Sequence, residues 1–172
     1  MIWLLELLDP IRRTRSAIGT QLDPHSSWMI GRSLETVNLR MHRAAESASQ
    51  VANWLSEHSR VETVSHPEHK VDERYQAVYE AQCGGGGSTF SFSIDGGRET
   101  VFKVLNKLRL FKLAVSLGGS ESLVCHPAST IHSGVDRSLR EQLNITESLI
   151  RISIGLEHPA DLIADLTQAL SN

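Results

Sequence analysis

The sequence predicts an α/β fold in two layers, in which a small, mostly antiparallel sheet is covered by helices on one face. Two patterns lead to this prediction. Residues 148–157 alternate apolar and other side chains with a period of two, which is typical of a strand with one buried face. Residues 33–57 and 159–170 place apolar side chains every three or four positions, which is typical of amphipathic helices.

Composition fits one cytoplasmic domain. The chain has 172 residues, 40% of them apolar, and a net charge of −3, so it lacks the basic surface that nucleic-acid binding requires. Cys83 and Cys125 have no paired-motif spacing, which favours reduced thiols over a single disulfide. The apolar start, residues 1–8, is interrupted by Glu6 and too short to span a bilayer. We therefore expect no membrane segment.

The first third of the chain predicts a short helix, a loop and a long helix. Residues 2–8 form the short helix, which should stop near Pro10 because the residue before a proline disfavours helical geometry. Residues 19–27 have the composition of a turn. Ser33 is the predicted N-cap of the long helix, which runs to about Glu57. Its apolar face comprises Leu34, Val37, Met41, Ala44, Ala48, Val51, Ala52 and Leu55.

The rest of the chain alternates short strands and helices. The predicted strands are 61–64, 89–94, 110–115, 123–127 and 148–157, and the predicted helices are 71–82, 99–108, 135–143 and 159–170. The last helix begins after His158 with proline at its first position and Asp161 in its first turn.

Two motifs in this region resemble ligand sites and are better explained otherwise. His66 and His69 flank Glu68, but they surround a proline in a loop and spacing provides no third ligand, so we expect surface histidines and no metal site. The glycine run 84–87 lacks the Lys-Ser/Thr pair and the helix start of a phosphate loop. A strand follows it, so we expect a flexible turn.

Arg151 is the candidate binding residue. In the strand, Ile150, Ile152 and Ile154 share one face and Arg151 lies on the other. A guanidinium between apolar neighbours is costly unless a carboxylate or phosphate meets its planar fork of donors, which makes Arg151 a candidate anion clamp. The alternative is an arginine on an edge strand that lies in solvent, and the pattern alone favours that alternative.

The stretch SLIRISIGLEHPADLIADLTQAL, residues 148–170, resembles the carboxy-terminal signature of the cysteine/methionine-metabolism family of pyridoxal-phosphate enzymes, the trans-sulfuration enzymes. This resemblance implies the small C-terminal domain of a fold-type-I enzyme. It also implies that Arg151 binds the α-carboxylate of an amino-acid substrate. The segment AVSLGGSESL, residues 114–123, resembles the family's Ser-Leu-Gly-x-x-Glu-Ser-Leu motif, in which the first serine helps to hold that carboxylate.

By this resemblance the substrate-binding residues are Arg151, Ser116 and Leu117. Family members differ at the residue just before this serine, where some carry a glutamate and others an apolar residue. Val115 therefore disfavours the cystathionine-processing members that have an acid at this position. Residues 17–41 resemble the segment that joins the two domains of the family. We therefore expect residues 1–32 to be the end of a cofactor domain and its connecting segment, and residues 33–172 to be the C-terminal domain.

The family's Schiff-base lysine lies in a Ser-x-Thr-Lys context, which none of Lys70, Lys103, Lys107 and Lys112 has. Pyridoxal phosphate is thus implied for full-length members, but covalent attachment and catalysis are not expected of this chain alone. Three hypotheses stay open. The chain is the C-terminal part of a truncated or split enzyme acting on sulfur amino acids or homoserine esters, by elimination or replacement. Alternatively, it is an inert module that docks on full-length members, or a carboxylate-binding protein. A cofactor-domain polypeptide or a second copy is the expected partner.

Overall fold

The structure, a computed structural model, describes residues 2–69 and 73–171. The chain forms two compact units, Met1–Asn38 and Leu39–Asn172. Its helices are α1 (Ile2–Ile18), α2 (Pro24–Leu34), α3 (Val37–Ser56), α4 (Glu73–Gln82), α5 (Arg98–Lys107), α6 (Arg137–Gln142) and α7 (Pro159–Leu170), with a 3₁₀ turn at Pro127–Ser129. Its strands are β1 (Val61–Ser65), β2 (Thr89–Ile94), β3 (Lys112–Leu113), β4 (Leu123–Cys125) and β5 (Leu149–Ser153). No helix in this part of the chain is both long and apolar enough to cross a bilayer.

The α/β fold is confirmed, with a five-stranded sheet in the order β1-β2-β5-β4-β3. All neighbouring strands are antiparallel except β3 and β4, which are parallel. The predicted strand 110–115 contracts to two residues because only Lys112 and Leu113 pair with β4. The strand predicted over 148–157 is β5, which lies at the centre of the sheet.

One face of the sheet carries the core. Ile150 and Ile152 are opposite Phe92 and Phe90 of β2, and Ile152 is also opposite Val124 of β4, so these side chains share a face. They pack in a single buried cluster with residues of α3, α5 and α7. The prediction of a sheet covered by helices on its isoleucine face is therefore confirmed.

The predicted stop near Pro10 is wrong, because α1 continues to Ile18. A proline inside a helix removes one backbone donor, but the remaining turns keep theirs. The Thr14 hydroxyl donates to the Pro10 carbonyl at 2.9 Å. The helix ends only at Gly19, whose φ of 77° is the left-handed conformation that terminates helices.

The predicted start of the long helix is also wrong. The second half of the expected loop is α2, which Asp23 caps by accepting a hydrogen bond from the Ser26 N–H. Ser33 lies inside α2, where its hydroxyl donates to the Met29 carbonyl, so it is not an N-cap. Consequently Leu34 belongs to α2 and is 62% exposed, and burial along α3 begins at Ala44.

Candidate functional site

Arg151 occupies the middle of the central strand. It is opposite Ser91 of β2 on one side and Cys125 of β4 on the other. The alternative of an arginine on an edge strand is therefore wrong. Because residues alternate along a strand, the Arg151 side chain leaves the sheet on the face opposite Ile150 and Ile152. Arg151 thus has a defined direction, away from the layer of helices.

The loop after β3 holds the Arg151 guanidinium. Its Nη2 donates to the Val115 carbonyl at 2.8 Å and to the Ser116 carbonyl at 3.1 Å. Within the described residues, Arg151 pairs with no carboxylate, and its Nε and Nη1 have no hydrogen-bond acceptor. Nη2 is therefore held by the protein, while the three N–H donors of Nε and Nη1 are left for a ligand.

Ser116 contacts Arg151, and Leu117 is the next residue of the same loop. The Ser116 carbonyl, however, makes the contact to the arginine, and the Ser116 hydroxyl has no partner in the described part of the chain. The side chains of Val115 and Leu117 are 54% and 58% exposed. Arg151 of β5 thus contacts a short loop that carries a hydroxyl and two exposed apolar side chains.

The loop is anchored at two points, one on β5 and one on the segment that follows it. At the first, the Gly118 N–H donates to the Ser153 hydroxyl at 3.0 Å, and the Thr89 hydroxyl donates to the same oxygen. Ser153 is 1% exposed, and Gly118 has a φ of 73°, a conformation that favours glycine. At the second, the Glu157 carboxylate accepts hydrogen bonds from the N–H and the hydroxyl of Ser122, both at 2.8 Å.

Sequence reasoning missed Ser153, Ser122 and Glu157. Ser153 is separated from Arg151 by one residue and therefore shares its face, which is a signal that the alternation pattern contained. Ser122 belongs to the motif that identified Ser116. The partnership between Ser122 and Glu157 joins residues 35 positions apart, so no local pattern indicates it.

An apolar cavity of about 330 Å³ lies near the end of β4. Its lining includes Phe102 and Leu105 of α5, Val115 from the loop after β3 and Thr130 after the 3₁₀ turn. Cys125, the neighbour of Arg151, also lines it and is buried, as expected of a small apolar residue. Both cysteines are free thiols.

His126 closes one wall of this cavity. Its Nδ1 lies 2.8 Å from the Ser129 hydroxyl, and its Nε2 lies 3.2 Å from the Glu147 carbonyl. Burial lowers the pKa of His126 most, the Glu147 carbonyl and carboxylate oppose this shift, and the charges of Arg98 and Arg140 reinforce it. The neutral ring therefore has both nitrogens satisfied, which indicates a structural role.

The prediction of surface histidines at 66 and 69 is wrong for His66. His66 is 2% exposed, and its ring packs edge-on against Phe90. A side-chain carbon on Gly86 would overlap the His66 ring. His69 contacts the Asn53 side chain at 3.0 Å. Among the described residues, no group of three or more His, Cys, Asp or Glu side chains is placed to hold a metal ion.

The lysines of the described chain do not fit a covalently held pyridoxal phosphate next to Arg151. Lys103 and Lys107 lie on α5, which packs on the isoleucine face, whereas Arg151 leaves the opposite face. The Lys107 Nζ donates to the Ser171 carbonyl at 2.7 Å. Lys112 is exposed on the outermost strand and makes no side-chain hydrogen bond to a described residue. Lys70 lies outside the described residues.

Comparisons with known proteins agree with the fold. Residues 5–171 match the model of a family described as Cys/Met metabolism PLP-dependent enzymes. The chain is 39% identical over 167 residues to an L-methionine gamma-lyase of Fusobacterium nucleatum, covering 96% of this chain and 42% of the relative. It is 36% identical over 167 residues to the cystathionine gamma-lyase of Bacillus subtilis, covering 97% of this chain and 44% of the relative.

A solved structure shows the same fold. A putative O-acetylhomoserine (thiol)-lyase from Campylobacter jejuni, which contains an N′-pyridoxyl-lysine-5′-monophosphate, superimposes with a TM-score of 0.84 at 34% identity. The match covers 90% of this chain and 37% of that protein. This chain thus spans about two fifths of the length of the relatives it matches.

Proposed function

This chain belongs to the Cys/Met-metabolism family of pyridoxal-phosphate-dependent enzymes, and from this premise we propose that its residues form the substrate-carboxylate-binding part of a trans-sulfuration enzyme. The substrates are sulfur amino acids or homoserine esters, and the reaction is a β- or γ-elimination or a γ-replacement. Three of its relatives are named as a methionine gamma-lyase, a cystathionine gamma-lyase and a cystathionine beta-lyase, which supports this range. The location is the cytoplasm, where thiols such as Cys83 and Cys125 stay reduced.

The observation that carries the proposal is the orientation of Arg151. Two loop carbonyls fix its Nη2, and Nε and Nη1 keep no acceptor among the described residues. The N–H groups of Nε and Nη1 can each donate to a carboxylate oxygen, and such charge-assisted hydrogen bonds are about twice as strong as neutral ones. The Ser116 hydroxyl next to it supplies a further donor. These groups bind and orient the α-carboxylate of the substrate.

In the complete enzyme, pyridoxal phosphate supplies the electron sink for the reaction. The lysines described here do not fit that role beside the clamp, so the proposed contribution of this chain is binding and orientation. Without a cofactor-domain polypeptide, this chain holds no cofactor covalently and catalyses nothing. The same observation favours a second candidate, a carboxylate-binding module without turnover, which docks on complete family members or acts alone.

A titration with L-methionine tests the clamp. In the protein labelled with ¹⁵N-arginine, L-methionine is expected to shift the Arg151 Nε resonance with a millimolar dissociation constant, and L-methioninamide, which lacks the carboxylate, is not. Arg151→Lys removes the planar fork and should weaken binding roughly tenfold. Arg109→Lys, at an exposed arginine outside the site, is the matched control. Equal binding of the acid and the amide would refute the clamp.

A second measurement tests whether this chain holds the cofactor by itself. Pyridoxal phosphate is added to the purified chain, and absorbance between 300 and 500 nm is recorded before and after borohydride reduction. A binding module, or one part of an enzyme, gives no band that reduction fixes to a lysine. A band fixed to one lysine would show that this chain carries the cofactor by itself.

A further inference from the structure

We propose that Glu157, acting through Ser122, is a positioning residue for the clamp. It fixes the loop whose Val115 and Ser116 carbonyls orient Arg151. This inference rests on the proposed function of Arg151 as a carboxylate clamp. Glu157 makes no contact with the guanidinium in the described structure, so it acts through the loop and is not a catalytic residue.

The contact between Glu157 and Ser122 uses both oxygens of the carboxylate. Oε1 accepts from the Ser122 N–H and Oε2 from the Ser122 hydroxyl, each at 2.8 Å. The Ser122 oxygen in turn accepts from the Gly155 N–H at 2.9 Å, and Ser122 is fully buried. A buried serine with two hydrogen bonds to one carboxylate has little freedom, since breaking either bond leaves a polar group without a partner.

Glycine at position 155 lets the loop lie directly on the chain that leaves β5. A side-chain carbon on Gly155 would overlap the Ser120 carbonyl and come within 2.6 Å of the Glu157 carboxylate. The Leu156 N–H donates to the same Ser120 carbonyl at 2.8 Å. The segment from Ser120 to Ser122 therefore has backbone and side-chain contacts to residues 155–157.

The rest of the loop is held on both sides of the two carbonyls. Before them, the Ala114 N–H donates to the Val124 carbonyl at 3.1 Å. After them, the Gly118 N–H donates to the buried Ser153 hydroxyl. Val115 and Ser116 thus lie between fixed points, and their carbonyls meet the Arg151 Nη2 without support from regular secondary structure.

Release of the Glu157 anchor should act on the clamp in a specific way. The Ser116 and Val115 carbonyls would move relative to β5, and Nη2 would lose its acceptors. The guanidinium would then rotate among several rotamers, and a carboxylate would have to order it on binding. The expected signature is weaker carboxylate binding in a protein that is still folded.

Glu157→Gln is the main test, because it keeps the side-chain size and replaces one accepting oxygen by a donor. Glu121→Gln is the matched control, since Glu121 is an exposed carboxylate of the same loop whose described contact is to the Ser120 hydroxyl. In E157Q, amide exchange at Gly118 and Ser122 should accelerate about tenfold or more, and L-methionine should bind roughly tenfold more weakly. The E121Q variant should match the wild type in both measurements.

The outcomes keep this inference distinct from the proposed function. An E157Q protein with wild-type circular dichroism, wild-type loop exchange and an unchanged Arg151 Nε resonance would overturn the positioning role even if L-methionine binds Arg151. If the wild type does not bind L-methionine, the proposed function fails, and loop exchange together with the Arg151 resonance still decides this inference.

Two further variants apply if E157Q does not fold. Ser122→Ala removes the hydroxyl link alone, and Gly155→Ala displaces the loop while it leaves the carboxylate intact. Both should broaden or shift the Arg151 Nε resonance. An unchanged resonance in a folded S122A protein contradicts the role assigned to Glu157.

Discussion

Asp165 shows how much a single buried carboxylate contributes to this fold. It lies on the inner face of α7 and is 5% exposed. Its oxygens accept hydrogen bonds from the backbone N–H groups of Arg109, Leu110 and Phe111, at 2.8 to 3.3 Å. These bonds satisfy three consecutive donors in the segment between α5 and β3, which has no regular structure of its own.

Asp165→Asn should lower the free energy of unfolding by about 2 kcal/mol. The change replaces one accepting oxygen by a nitrogen that donates. This nitrogen would face the Gln168 side-chain N–H in the place of Oδ1, or the Leu110 and Phe111 N–H groups in the place of Oδ2. Urea denaturation followed by circular dichroism measures the loss. Asp161→Asn, an exposed position in the first turn of the same helix, should change stability by about 0.5 kcal/mol or less. Equal effects of the two substitutions would show that the buried contacts are not the cause.

At the scale of residues, the direction of Arg151 could be predicted from the sequence, whereas its hydrogen-bond acceptors and the role of Asp165 could not. The direction of Arg151 followed from strand alternation, because its neighbours are isoleucines of one face. The acceptors that hold it did not follow, because they are carbonyls of a loop 35 and 36 residues away. Asp165 was not singled out, because its three partners lie 54 to 56 positions earlier in the chain.

At the scale of elements, the end of β1 and the glycine run form one pH-sensitive contact. His66 is buried between Phe90 and Gly86, and burial is the main cause that lowers its pKa from the ordinary value of 6.5. The Glu68 carboxylate and the Gly87 carbonyl oppose this shift, and His69 reinforces it. In addition, the Glu68 N–H donates to the His66 Nδ1 at 3.3 Å, a bond that a protonated ring would lose.

His66 should make the protein less stable as the pH is lowered. The folded state binds its proton less readily than the unfolded state, so the contribution is complete above the ordinary pKa of 6.5 and is lost as pH falls below that value. His66→Gln removes this titration, and the slope of unfolding free energy against pH should become smaller between pH 7 and pH 5. A slope remains because burial also lowers the pKa of His126.

His42→Gln, at an exposed histidine of α3, is the control, and it should not reproduce the effect of His66→Gln because it removes no buried contact. The sharpest readout is the titration of the His66 Cε1 proton by NMR in the wild type. A midpoint at or above 6.5 would contradict the burial effect.

Helix boundaries were the least predictable elements. The apolar stripe correctly indicated a long helix, and the residues buried from Ala44 to Leu55 follow it. Its start was misplaced because Ser33 and Leu34 also suit the end of α2, and local sequence does not distinguish a helix cap from a helix interior. Pro10 was misjudged for a related reason, since one lost hydrogen bond does not outweigh the helical turns on both sides.

At the scale of the whole molecule, the sheet and its covering helices followed from periodicity, and the family followed from two motifs. The alternation in β5 and the stripe in α7 each describe an apolar face, and packing the two faces together buries both. The loop that completes the clamp depends on distant anchors at Ser153 and Glu157. The site was therefore predicted as a set of residues, while the contacts that orient it came from the structure.

The apolar surface of α2 should make this chain self-associate. None of the α2 residues is buried, and Ile30 and Leu34, one helical turn apart, are 53% and 62% exposed. Light scattering coupled to size exclusion should give a mass above the 19.0 kDa of one chain. Glutamine at both positions should shift the mass towards the monomer, whereas Leu143→Gln, at an exposed leucine after α6, should not. A monodisperse wild-type monomer at millimolar concentration would show that this surface does not associate with a second copy.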